Sequence, residues 1–107
     1  MADEPGWQGV AHSFPVDHPA RDGHFPGNPV IPGAVLLDAV VHRIAAAYKQ
    51  RAASGEFRGV KFLLPLRPGD SIDIRWKVTN EQEVRFECLQ AGRKALSGSL
   101  RLNASLV

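Results

Sequence analysis

The sequence predicts an α+β fold in which one long apolar helix packs against an antiparallel sheet. Residues 34–53 contain no Gly or Pro and are rich in Ala, Leu and Val, which is typical of a helix of about 20 residues. From residue 57 onward, segments of alternating polarity are separated by turn residues, as expected of antiparallel strands with one polar face. A helix followed by consecutive strands indicates a two-layer α+β domain.

Composition limits the classes of protein to consider. A chain of 107 residues is expected to form a single domain spanning 1–107. The net charge of +2 is too small for the basic surface of a nucleic-acid-binding protein. The single cysteine, Cys88, excludes an intramolecular disulfide and a cysteine-based zinc cluster. No apolar run reaches the roughly 18 residues of a membrane span and residues 1–7 lack a signal-peptide pattern, so we expect a cytoplasmic protein.

The boundaries of the elements follow from local signals. A short strand is predicted within residues 8–16, with Val10 and Phe14 as its large apolar residues. The helix is expected to start after Pro32 and Gly33, to be buried on nearly all sides, and to end before Ser54-Gly55. Four strands follow, and their predicted inward residues are Val60, Phe62 and Leu64; Ile72, Ile74, Trp76 and Val78; Val84, Phe86 and Cys88; and Leu96, Leu100 and Leu102.

The segment from Asp17 to Gly33 is punctuated by four prolines and three glycines, which no regular helix or central strand tolerates. It is therefore predicted to be a loop of about 15 residues. Ordered loops of this length in small domains tend to be functional.

This loop carries a specific motif. It reads His-Phe-Pro-Gly-Asn-Pro-Val-Ile-Pro-Gly from His24 to Gly33 and continues through an apolar stretch to Asp38. The motif resembles the active-site signature of the 3-hydroxyacyl-ACP dehydratases of fatty-acid synthesis, in which a histidine and an acid have this separation. Residues 60–70, Val-Lys-Phe-Leu-Leu-Pro-Leu-Arg-Pro-Gly-Asp, are similar to that family's next strand and turn.

The resemblance implies a hot-dog fold, in which an antiparallel sheet wraps around one long buried helix. It also implies a catalytic pair formed by His24 and Asp38, and an oxyanion-binding amide at Gly33. Phe25 and Ala34 are implied in substrate binding, and Gly27, Pro29 and Pro32 in shaping the loop.

The implied reaction suits these residue types. A histidine can take the proton from C2 of the thioester because its pKa is near neutral. Asp38 can protonate the departing C3 hydroxyl if apolar surroundings raise its pKa, and its position in an apolar helix favours that shift. The amide of Gly33, at the helix N-terminus, is suited to stabilise charge on the thioester oxygen.

Simpler interpretations apply to other residues. We interpret His12, His18 and His42 as ordinary solvated or capping histidines, although His42 lies four residues after Asp38 and could contact the acid. Asp38 could itself serve only the helix dipole. Basic residues that could meet an acidic carrier protein, but usually form a solvated face, are Lys49, Arg51, Arg58, Lys61 and Arg67.

The resemblance also implies partners. The substrate would be carried by acyl carrier protein or CoA, no metal or organic cofactor would be needed, and no nucleic acid or membrane would be bound. A homodimer joined through its sheet edges would build each site from two chains. The sequence does not decide between a dimer and a higher oligomer. The acid is Asp, as in the branch of that family that also isomerises the double bond. The His-Phe-Pro-Gly run is instead typical of the branch that has Glu as its acid. Isomerase activity, acyl chain length and pathway are therefore not assigned. A hot-dog thioesterase and a non-catalytic acyl-binding or scaffold subunit are the alternatives.

Overall fold

The computed structural model describes residues 6–17, 29–49, 55–103 and 106. In chain order its elements are strand β1 (Trp7–Ser13), helix α1 (Gly33–Ala47), and strands β2 (Gly55–Phe62), β3 (Ser71–Asn80), β4 (Glu83–Gln90) and β5 (Arg93–Leu102). One helix and five antiparallel strands confirm the predicted α+β class.

The strands form one sheet in the order β1-β3-β4-β5-β2, and every neighbouring pair is antiparallel. Strands β4 and β5 are joined by the two-residue turn Ala91-Gly92, whose φ angles of 50° and 79° suit a tight hairpin between twisted strands. Strand β2 pairs with β5, far from it in sequence, so β1 and β2 form the two edges of the sheet.

The inner face of the sheet follows the predicted alternation. In each of β3, β4 and β5 the predicted inward residues lie in or against the core. Their neighbours in sequence are more exposed, except Ala95, which is fully buried beside Leu96. The fully buried residues on this face include Ile74, Val84, Phe86, Leu96 and Leu100. These side chains form the apolar layer that the helix covers.

The helix differs from its prediction in length and in burial. It ends at Ala47 rather than Ala53, and Lys49 adopts a positive φ of 59°, which stops helical hydrogen bonding. Its buried residues form one stripe: Leu36, Val40, Val41, Ile44 and Ala45. The opposite side, which includes Asp38 and His42, is exposed, because in a single chain the sheet covers only one side of the helix.

The alternation of residues in strand β2 also differs from its prediction. A bulge between Arg58 and Lys61, with Gly59 at a φ of 59°, shifts the alternation by one residue. Phe57 and Val60 therefore both pack against the core. Phe62, predicted to point inward, is 53% exposed and ends the strand.

The end of the helix is tied to the sheet by a partly buried polar contact. The indole Nε1–H of Trp76 donates to the hydroxyl oxygen of Tyr48 at 3.1 Å, and the Gln8 amide donates to the same oxygen at 3.0 Å. Trp76 is almost completely buried, so Tyr48 provides the acceptor that its indole needs.

Replacing Tyr48 by Phe should therefore lower the free energy of unfolding by about 1–3 kcal/mol, because the buried indole N–H loses its acceptor. Chemical denaturation followed by tryptophan fluorescence measures this. The control Gln8→Ala removes a donor that is exposed and can be replaced by water, so it should cost less than about 0.5 kcal/mol. Equal losses in the two variants would contradict the role given to Tyr48.

Candidate functional site

The start of helix α1 is fixed by Pro32. Its extended backbone places its carbonyl oxygen to accept from the N–H groups of Val35 at 3.0 Å and Leu36 at 3.1 Å. The preceding Ile31 donates its N–H to the Leu66 carbonyl at 2.7 Å, which ties the helix start to the β2–β3 connection. Gly33 is the first helical residue, so its N–H has no acceptor within the helix.

Gly33 lies under the ring of Phe62. A Cβ atom at position 33 would stand 2.9 Å from Cζ of Phe62, too close for any side chain unless the ring moves. The two residues border the helix-start groove, an apolar depression of about 400 Å³ lined by Val30, Ile31, Gly33, Leu36 and residues 62–66. The groove therefore brings apolar surface next to the amide that the sequence predicts to bind an oxyanion.

Asp38 lies on the exposed side of the helix. Its side chain is 70% exposed, so the described part of a single chain does not supply the apolar surroundings expected for it. The helix buries the stripe that faces the sheet. Position 38 lies two residues from both Leu36 and Val40 of that stripe, which places its side chain on the opposite side of the helix.

Asp38 borders a second depression, which we call the Asp38 pocket. It has a volume of about 290 Å³ and is lined by His12, Ser13, Phe14, Pro15, Val35, Asp38, Ala39, His42 and Arg43. Within it, Nδ1 of His42 lies 3.3 Å from Oδ1 of Asp38 and 2.7 Å from the Asp38 carbonyl oxygen. The predicted acid thus has a histidine as its immediate neighbour.

His12 enters this pocket from strand β1. Nε of Arg43 donates to Nδ1 of His12 at 3.0 Å, and the His12 ring meets the edge of Phe14 with ring centres 4.8 Å apart. Partial burial, and next the positive charge of Arg43, lower the pKa of His12 below its ordinary value. His12 is therefore half-buried and hydrogen-bonded rather than fully surrounded by solvent.

The remaining predicted site residues divide into two groups. His24, Phe25 and Gly27 lie outside the described residues, as do His18 and Arg51. Pro29 is half-buried, and Pro32 and Ala34 are exposed at the helix start. The structure thus brings Pro32, Gly33 and Ala34 together, and it sets Asp38 one turn further along the same helix.

Sequence reasoning missed three residues at these two depressions. Phe62 was assigned to the core, and its place above Gly33 depends on the β2 bulge, for which Gly59 is the only local signal. His12 and Arg43 meet across 31 positions of sequence, and neither residue carries a local signal for that contact.

Two negative findings hold for the described residues. No group of three or more His, Cys, Asp or Glu side chains within ranges 6–17, 29–49, 55–103 and 106 could hold a metal ion. No helix in that part of the chain is long and apolar enough to cross a membrane.

The lowered pKa of His12 has a measurable consequence. Its imidazole should titrate below 6.5 in an NMR titration of the ring Cε1–H. The unfolded chain then binds a proton that the folded chain does not, so stability should fall as the pH drops from about 6.5 toward the folded pKa. The variant Arg43→Gln should move the pKa part of the way back up, because burial still lowers it.

Two controls accompany this titration. Arg101→Gln, at the other end of the sheet, should leave the pKa of His12 unchanged, and His12→Gln should remove its contribution to the pH dependence of stability. An unaltered His12 pKa in Arg43→Gln would refute the electrostatic part of the explanation.

A known protein family matches most of the chain. The ApeI-like family, described as ApeI dehydratase, matches residues 7–99. The 3-hydroxyacyl-[acyl-carrier-protein] dehydratase FabZ of Latilactobacillus sakei is 38% identical over 77% of this chain, which spans 63% of that protein's length. The FabZ of a Roseiflexus species is 30% identical over 97% of this chain and 73% of its own length.

Comparison with solved structures identifies proteins that share the fold of this chain. The dehydratase heterocomplex ApeI:P from Xenorhabdus doucetiae aligns with a TM-score of 0.71 and 22% identity, covering 94% of this chain and 91% of that one. This likeness confirms the expected hot-dog fold, and the sequence matches confirm the resemblance to 3-hydroxyacyl-ACP dehydratases. The chain belongs to the ApeI-like dehydratase family.

Proposed function

We propose that this protein removes water from a (3R)-3-hydroxyacyl thioester to give the trans-2-enoyl thioester, in fatty-acid or related acyl or polyene biosynthesis. The observation that carries the proposal is the family match across residues 7–99, which includes the whole motif from His24 to Asp38. The curated relatives named as 3-hydroxyacyl-[acyl-carrier-protein] dehydratases support the same reaction class.

The proposed mechanism assigns a proton transfer to each member of the pair. The imidazole of His24 takes the proton from C2, and the C–H electron pair forms the C2–C3 double bond as the C3–O bond breaks. The carboxylic acid of Asp38 gives its proton to the departing oxygen, which leaves as water. The Gly33 N–H binds the thioester oxygen while negative charge builds on it, and Phe25 and Ala34 border the acyl chain.

Asp38 needs to be protonated for this role, and water around it opposes that state. The 70% exposure of its side chain means that further surface has to cover it in the active enzyme. A segment outside the described residues or a second subunit can provide this cover. The loop with His24 and Phe25, shaped by Gly27, Pro29 and Pro32, is one source, and it immediately precedes the helix.

A homodimer is the second source and forms part of the proposal. Strand β2 is an edge of the sheet, and at its end Phe62 and Leu63 are 53% and 51% exposed. A second copy pairing along β2 would use the edge hydrogen-bonding groups and cover these side chains. Each site would then take its histidine from one chain and its acid from the other.

An acidic acyl carrier protein is the proposed carrier of the substrate, with CoA as the alternative. Arg58 and Lys61 share a small depression with Arg85 on the sheet, next to the β2 bulge. These cations favour an acidic partner. A cytoplasmic location and a single domain over residues 1–107 complete the proposal, and no cofactor enters the mechanism.

The assay that tests the reaction follows the absorbance of the conjugated enoyl thioester formed from short and medium 3-hydroxyacyl carriers. Wild-type protein should form this product, and the variants His24→Ala and Asp38→Asn should each lose at least about 100-fold in kcat, since general acid–base steps contribute about 10²–10⁴. Monitoring free thiol in parallel separates the alternatives. Thiol release without enoyl product would indicate a thioesterase. Acyl-carrier binding with neither signal would indicate a non-catalytic subunit.

The shared site has its own test, in which the two inactive variants are mixed, dissociated and allowed to reassociate. In a mixed dimer, one site combines the intact His24 of one chain with the intact Asp38 of the other. The mixture should regain about one quarter of wild-type activity, because half of the dimers are mixed and half of their sites are complete. No recovery, with mixed dimers detected by a size tag, would show that both residues come from one chain.

A further inference from the structure

The carboxyl group of Asp38 and the ring of His42 form a pair on one face of helix α1. Nδ1 of His42 lies 2.7 Å from the backbone carbonyl oxygen of Asp38 and 3.3 Å from its Oδ1. The two residues are four positions apart, where helical side chains meet. Both side chains are largely exposed at the rim of the Asp38 pocket.

The shorter contact fixes the tautomer of His42. A carbonyl oxygen can only accept a hydrogen bond, so an Nδ1 atom at 2.7 Å from it carries the proton. The same nitrogen lies 3.3 Å from Oδ1 of Asp38, so this oxygen stands next to the N–H that the backbone carbonyl accepts. Neutral His42 therefore donates its Nδ1–H to the backbone carbonyl of Asp38, and the carboxyl oxygen Oδ1 is the neighbouring acceptor.

A carboxyl group that donates a proton has two unequal oxygens. One carries the proton, and the other is a carbonyl oxygen that can accept a hydrogen bond. Because the N–H of His42 approaches Oδ1, the proton of the acid belongs on Oδ2. An acid held in this way presents one defined oxygen to the substrate, whereas a free exposed Asp rotates among several orientations.

We propose that His42 is a positioning residue for the dehydration, which holds Oδ1 of Asp38 through its Nδ1–H so that Oδ2 delivers the proton to the departing hydroxyl. This inference rests on the proposed function of Asp38. It adds to that function the residue that orients the acid and the oxygen that acts.

The other basic group of the pocket does not replace His42 in this role. Nε of Arg43 donates to His12, on strand β1, at 3.0 Å. Within the part of the chain that the structure describes, the basic side chain that lies against the Asp38 carboxyl group is that of His42. Among the described residues, His42 is therefore the neighbour of the acid that can be changed without altering the His12–Arg43 contact.

The alternative role for His42 is purely structural, since its donation to the Asp38 carbonyl closes one turn of the helix. Such a role would act through stability. The pair is exposed, and exposed pairs contribute little to stability. A change in kcat without a matching change in melting temperature therefore separates positioning from support of the helix.

The experiment compares three variants by kcat, KM and melting temperature, with Asp38→Asn as the reference for loss of the acid. His42→Leu removes the donor and keeps a good helix former. His42→Gln keeps an N–H donor on a flexible side chain of similar reach. Ala46→Gly, one turn further along the exposed side, weakens the helix without contacting Asp38.

We expect His42→Leu to lower kcat by up to about 100-fold with KM unchanged, because the acid is no longer held in place. His42→Gln should recover most of that loss, and Ala46→Gly should keep wild-type kcat although its melting temperature falls. Wild-type kcat in His42→Leu, no rescue in His42→Gln, or an equal loss of kcat in Ala46→Gly would each overturn the inference. A wild-type protein without dehydratase activity would instead overturn the proposed function, and this inference with it.

A second measurement tests the contact without turnover. The ¹⁵N chemical shifts of the ring should show His42 as the Nδ1–H tautomer in the native protein. A His42 ring in the Nε2–H form would remove the hydrogen bond to Asp38 and would refute the inference even if the enzyme were active.

Discussion

The packing of one apolar stripe of α1 onto the inner face of the sheet is the interaction on which the rest of the structure depends. Leu36, Val40 and Ile44 contribute the helical side, and the inner residues of β3, β4 and β5 contribute the other. Fully burying a side chain of this size is worth about 1.5–3 kcal/mol, and this contact layer contains most of the core. Its geometry fixes the helix in both position and rotation.

The rotation of the helix decides what the outer surface presents. Once the stripe faces the sheet, Asp38 and His42 face away from it, on the same side as one another. The helix start, with Gly33, is held by the Ile31–Leu66 backbone hydrogen bond and lies beside the end of β2. Side chains on such a helix inherit the rigidity of the core, although those on its outer side are exposed.

The sequence predicted the fold more completely than the site, for physical reasons. The alternation in β3, β4 and β5 and the Pro-Gly helix start are local signals, and the structure confirms them. The β2 bulge, which exposes Phe62, inserts one residue into a regular pattern, and the early helix end depends on a single backbone conformation at Lys49. The His12–Arg43 contact joins a strand to a helix distant in sequence, so only the assembled sheet brings it about.

The order of the strands has a consequence for biosynthesis. Strand β1 pairs with β3, and β2 pairs with β5, so none of the sheet's ladders joins two strands from the first 70 residues. As the chain leaves the ribosome, the apolar helix emerges well before the surface that will cover it. The sheet closes only when the last strand inserts between β4 and β2, which makes completion of the fold a late, non-local event. Until then the nascent chain presents a hydrophobic segment that chaperones can bind, so protection of the helix depends on the synthesis of β5.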